Sequence, residues 1–128
     1  MQHMSVSTVQ VMHLLELDVC SINPLLQSGK FDDARRHAES SLEILCKHLP
    51  SEHLFLASSK RVLALILEEI AIDAVGQHPN ATLLTKAEEL HLYALNLAKL
   101  NFSECNVQTA KHYGNLGRLY QVYPCIET

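Results

Sequence analysis

Three polar residues late in the chain, Lys111, Asn115 and Arg118, stand at i, i+4 and i+7, a spacing that puts them on one face of an α-helix. Together they suit an anion. Lys offers a point charge, Asn an amide donor and Arg a planar fork of N–H groups that matches a carboxylate. Lys60 and Arg61 lie upstream and can serve the same ligand if the fold sets their helix beside the later one. The plainer alternative is a solvated helix face, where such residues are common.

The remaining residues with chemistry in them do not assemble into a pattern. Eight histidines, His3, His13, His37, His48, His53, His78, His91 and His112, invite a metal. However, no two have the i, i+4 helical spacing and none joins a cysteine pair, so no metal site is expected. His91 reads instead as a hydrogen-bonded packing histidine on the inner side of its helix. The four cysteines, Cys20, Cys46, Cys105 and Cys125, have no C-x-x-C spacing. Cys, His and Asp could in principle make a thiol hydrolase, yet all fall on expected helices with no turn to supply oxyanion donors. No catalytic residue and no cofactor is therefore expected; a small helical enzyme or metal protein is the remote alternative. Asn80 and Asn101 begin N-x-[ST] sequons, which matter only in a secreted protein.

Which elements would position the polar set follows from composition and pattern. The chain has 128 residues, 48% of them hydrophobic, with 4 Gly, 4 Pro and no Trp. That is one domain on size, with apolar material for a core and little turn punctuation for an all-β fold. A net charge of −4 argues against nucleic acid, which wants a basic face. The longest apolar run, Val62 to Leu67, stops at Glu68 and Glu69, so no membrane span is expected. Unpatterned cysteines without a signal peptide point to a soluble, intracellular protein.

In chain order, five helices are expected, at about 9–27, 31–48, 52–73, 83–101 and 107–121, in antiparallel hairpins. The first is kinked near Pro24, over Ser21 to Asn23. Gly29 supplies the permissive turn, and Asp32 and Asp33 then favour the positive start of the next helix. That helix carries an apolar stripe of Ala34, Ala38, Leu42, Leu45 and Leu49, with Lys47 and His48 in its last turn and Pro50 beyond it. Ser51 is expected to cap the third helix, Thr85 with Glu88 (or else Thr82) the fourth, and Asn106 the fifth. Ala74 to Thr82, with Gly76, Pro79 and Asn80, reads as a loop.

These helices repeat. Tyr113, Leu116, Gly117 and Tyr120 make the aromatic, Leu, Gly, Tyr pattern of the first helix of a tetratricopeptide repeat, in which the small residue admits a neighbouring helix at close range. Ala57, Leu63, Ala64 and Leu67 hold the register of Ala110, Leu116, Gly117 and Tyr120, 53 positions earlier. Small residues at Ala34 and Ser41 recur at Ala87 and Ala94 with the same offset. A regular repeat would be about 42 residues, leaving about 11 extra, which a loop near 74–82 absorbs at little cost. The expected fold is all-α, a right-handed tetratricopeptide-type helical-hairpin solenoid of about two and a half repeats. It comprises a first repeat at 9–50, a second at 51–105, the first helix of a third at 106–121 and a divergent tail at 122–128.

The run from Ser28 to Ala57, with Gly29, Lys30, Phe31, Asp32, Asp33 and Ala34, resembles kinesin-light-chain-type repeats. More narrowly, Cys20 to Val62 and Asn106 to Gln121, 59 residues in all, resemble the amyloid protein-binding protein 2 family. The chain departs from that pattern over Ala74 to Lys86 and after Gln121. The resemblance implies an adaptor for the amyloid precursor's cytoplasmic tail and a substrate receptor of a cullin-RING ubiquitin ligase that reads C-terminal tails. It also implies roles in protein transport and a cytoplasmic, nuclear or microtubule-associated location, with ligase subunits and microtubule-associated proteins as partners. Peptide tails in a groove along the first helices of the repeats, held by Lys60, Arg61, Lys111, Asn115 and Arg118, are thus the expected ligands. The alternative is a truncated fragment, inactive or dominant-negative. Because Tyr113, Leu116, Leu119 and Tyr120 would be covered from one side only, self-association through the last helix is also expected.

Overall fold

The computed structural model describes residues 24–72 and 80–122. The expected helix from residue 9 up to its kink, most of the 74–82 loop and the tail at 123–128 lie outside the described residues. Within them every regular element is a helix: α1 Phe31–His48, α2 Leu54–Ile72, α3 Ala81–Asn101 and α4 Val107–Val122. A short helical turn at 24–27 precedes α1 and ends at Gly29, where φ is +77°. The Gly29 N–H donates to Leu26 O and the Lys30 N–H to Leu25 O, the paired closure that wants a left-handed glycine.

The starts of two helices differ from expectation. Ser51 does not cap α2: Ser51 and Glu52 form a turn, and the ring of His53 accepts the Phe55 N–H at 3.1 Å. The carbonyls of Ser51 and Glu52 are taken by Tyr93 Oη and Asn101 Nδ2 of α3, so this connector is tied sideways to the next hairpin. Nor do Thr82 or Thr85 with Glu88 begin α3. Asn80 does, its side chain accepting the Leu83 N–H at 3.2 Å. An early start is needed to carry Leu84 into the core, and Glu88 accepts a hydrogen bond from Tyr120 Oη instead. Asn106 caps α4 as expected, through Gln108 N–H.

The core shows the hairpins to be antiparallel. Leu45 on α1 meets Leu56 and Ala57 near the start of α2, whereas Ala34 and Ala38, earlier on α1, share a cluster with Leu63, Ala64, Ile66 and Leu67. Along α2 in turn, Ala57 groups with Ala94, Ala64 with Ala87, and Ala71 with Leu84 of α3. Small residues at the crossings let α2 pack between α1 and α3, which is why it is apolar nearly all round. Helix α4 then packs on α3, with Leu119 joining Ala71 and Leu84.

One expectation about α4 is not met. Tyr113 is 44% exposed, in keeping with cover from one side, but the repeat signature has the small residue at 117 admit a neighbouring helix, and among the described residues a Cβ on Gly117 would meet nothing within 4 Å. The buried edge is Thr109, His112, Leu116 and Leu119. The reason is in the repeat itself: at the matching positions on α2, Ala57 and Ala64 are covered by neighbouring helices, and the described residues contain no helix after α4 to cover Ala110 and Gly117.

Candidate functional site

Arg61 and Glu68 stand seven residues apart on α2, and so share one edge two turns long. Helix α4 presents His112, Asn115 and Arg118 toward the same region, and His91 reaches it from α3. At the centre is Glu68, a residue only 7% exposed. Its Oε2 is 2.7 Å from His91 Nε2, which is wholly buried, and its Oε1 is 3.4 Å from Arg118 Nη2. A carboxylate is costly to bury unless paired and hydrogen-bonded, and here two other helices supply the partners. With Glu68 ionised, His91 Nε2–H is the donor. Arg118 keeps more than half of its side chain in solvent, so its remaining N–H groups are available to a ligand.

Two donors, Arg61 Nε of α2 and Asn115 Nδ2 of α4, are buried with no hydrogen-bond partner among the described residues, as are the Nδ1 atoms of His91 and His112 and the Ser59 hydroxyl. Burial, and after it the charge of Arg118, hold the Arg61 guanidinium below its ordinary value. His112 is lowered from 6.5 to about 4, first by burial and then by Arg61, Lys111 and His91. The two guanidiniums thus repel each other, and the acid in contact with Arg118 is Glu68. Such a site can hold an anion; it shows no nucleophile beside a base, and among the described residues no group of three His, Cys, Asp or Glu could hold a metal. Depressions elsewhere, one lined by Leu25, Asp33, Arg36, His37 and Ser40 and another by Thr82, Thr85, Lys86 and Glu89, gather no buried polar groups of this kind.

Of the residues singled out by spacing, Arg61 and Arg118 are brought together, and Asn115 is one turn from Arg118 on the same helix. Lys60 is not: its Nζ lies 4.1 Å above the Tyr93 ring, at the α2–α3 contact. Lys111 is exposed at the rim, close enough to bear on His112. Sequence spacing missed Glu68 and His112 altogether and read His91 only as a packing residue. The signal for Glu68 was there: an acid two turns after Arg61, ending an apolar run on a helix buried nearly all round. What the sequence could not show is that Glu68 is buried while Glu69, its neighbour, is exposed.

Fold and site together define an all-α helical-hairpin repeat protein with a basic, partly buried polar edge shared by alternate helices. No family model matches the chain. It is, however, 63% identical over 94 residues to the "Amyloid protein-binding protein 2" of Rattus norvegicus and, at the same identity and length, to that of Mus musculus. The match takes in 73% of this chain and 16% of each relative, so the chain spans about a sixth of the length of the curated relatives it matches. Over that stretch the chain belongs to the amyloid protein-binding protein 2 family.

Proposed function

We propose that this chain is a protein–protein interaction adaptor, a binding module and not an enzyme, that holds peptide tails along the edge shared by α2 and α4. The carrying observation is that Arg61 feels the charge of Arg118, which itself touches the buried Glu68, while Arg61 Nε and Asn115 Nδ2 are buried and lack acceptors among the described residues. A carboxylate from a ligand supplies what they lack, with Arg61 and Arg118 as charged donors, Asn115 as an amide donor and Lys111 as a rim charge. The relatives are named for binding amyloid protein, which makes an amyloid precursor tail the first candidate ligand. A part in intracellular protein transport, in substrate reception for a cullin-RING ligase, and a cytoplasmic or microtubule-associated location belong to the same proposal and rest on the family resemblance.

The test is a calorimetric titration with an acidic-tailed peptide bearing a free C-terminal carboxylate and with the same peptide amidated. The free acid is expected to bind more tightly, and Arg118→Ala to weaken it by about 1–3 kcal/mol, the worth of a charged hydrogen bond. A wild type that ignores both peptides, or a variant that binds as well as the wild type, refutes the reading.

A further inference from the structure

The arrangement around Glu68 says more about the ligand than that it is negative. Arg61 and Arg118 bring two positive charges and Glu68 takes back one, because its carboxylate is buried and in contact with Arg118 Nη2 at 3.4 Å. It cannot swing away to make room, since its other oxygen is held by His91 Nε2 at 2.7 Å inside the α2–α3 contact. Among the described residues Arg61 makes no ion pair. The site therefore contains one guanidinium already matched by a fixed internal carboxylate and one that is not.

We infer that Glu68 sets the charge of the ligand at this site, matching it to a monoanionic carboxylate and against a dianion such as a phosphate ester. The inference rests on the anion-binding reading above and names the residue that makes it selective. Attraction to a site grows in proportion to the ligand's charge, whereas the cost of stripping its water grows with the square of that charge, about fourfold for a dianion. One uncompensated guanidinium suits one negative charge. A second negative charge meets no further unpaired cation at the buried centre, and it meets the Glu68 carboxylate. Lys111 lies at the solvent rim, where water and salt screen it.

The proportionality makes a sharp test. If Glu68→Gln removes a repulsion, the gain in free energy for a dianion is twice that for a monoanion, so the fold-change in affinity is squared. The full chain, labelled with 15N, is titrated with acetate and with sulfate at fixed ionic strength, reading the Nε–H resonances of Arg61 and Arg118. Glu68→Gln is expected to tighten acetate about threefold and sulfate about tenfold. Arg118→Gln, at a side chain more than half exposed but in contact with Glu68, is expected to weaken both, sulfate the more, with its fold checked by circular dichroism. Equal fold-changes for the two ions in either variant, or weaker sulfate binding by Glu68→Gln, overturn the assignment of Glu68 while leaving an anion site in place. If neither ion moves either arginine in the wild type, the anion-binding reading itself fails. Should Glu68→Gln not fold, the wild type decides: acetate is expected to bind at least as tightly as sulfate at fixed ionic strength, and tighter sulfate overturns the assignment.

Discussion

The His112 imidazole faces Arg61 and Lys111 from a buried position on α4, and burial is the largest cause of its low pKa of about 4. An unfolded histidine takes up its proton near pH 6.5. Above that value His112 is neutral in both states and adds nothing to the pH dependence of stability. As pH falls from 6.5 toward 4 the unfolded chain binds a proton that the folded chain refuses, so stability is lost over that window, by at most about 3 kcal/mol. Urea midpoints at pH 7.5 and pH 5 measure this. The wild type is expected to lose more stability than His112→Gln over the same step; equal losses show that His112 is not held neutral by the fold. At this scale helical periodicity singles out Asn115 and Arg118 as candidates on one edge, and Arg61 by its charge, but Glu68 and His112 look like surface residues until a neighbouring helix buries them.

Between elements, the repeated register puts Ala64 of α2 and Gly117 of α4 in equivalent places, and the fold treats them in opposite ways. Ala64 is wholly buried in a cluster with Ala34, Ala38 and Ala87, where three helices meet through small side chains. Among the described residues, nothing lies within 4 Å of where a Cβ on Gly117 would stand. Ala64→Leu is therefore expected to force the helices apart and to cost about 1–3 kcal/mol. Gly117→Ala adds a methyl group to empty space and removes a flexible residue from a helix interior, so it is expected to stabilise by about 0.5–1 kcal/mol. Thermal melts of the two variants give the comparison; destabilisation by Gly117→Ala shows that something packs on that face. The element boundaries were largely readable, since α1 runs over the residues that its acidic start, apolar stripe and terminal proline mark out. The caps of α2 and α3 were not, because Ser51 was drawn into contacts with α3 and Asn80 outcompeted later threonines.

Across the whole molecule, exposed apolar side chains collect around the α3–α4 corner, with Leu100, Phe102, Val107 and Tyr113 all open to solvent. Helix α4 also carries Lys111 and Arg118 and no acid, although the chain as a whole has a net charge of −4. An apolar strip flanked by Lys111 and Arg118, with Glu104 at the corner already held by Lys99 and Tyr113, favours contact between copies of a chain that is negative overall. Sedimentation velocity is expected to show a coefficient that rises with protein concentration for the wild type and flattens for Val107→Ser with Tyr113→Ser. Both residues are exposed, so these changes leave the core intact. A coefficient that is flat for the wild type removes self-association from the account.

The sequence by itself determined that the chain is helical and how its helices are phased. Apolar residues recur at helical spacing, Gly29 and Pro50 punctuate them, and small residues return at a 53-residue offset, all of which act through local geometry. It also determined the family resemblance, which the comparison with the rat and mouse proteins bears out over 94 residues. Only the tertiary structure decided which side of each helix counts. Lys60 turned to Tyr93 while Arg61, next to it, turned to Arg118, and Glu68 was buried while Glu69 stayed in water. Neighbours in sequence point about 100° apart on a helix, so which of them meets a partner depends on where the other helices lie, and that is set by long-range packing that no local pattern records.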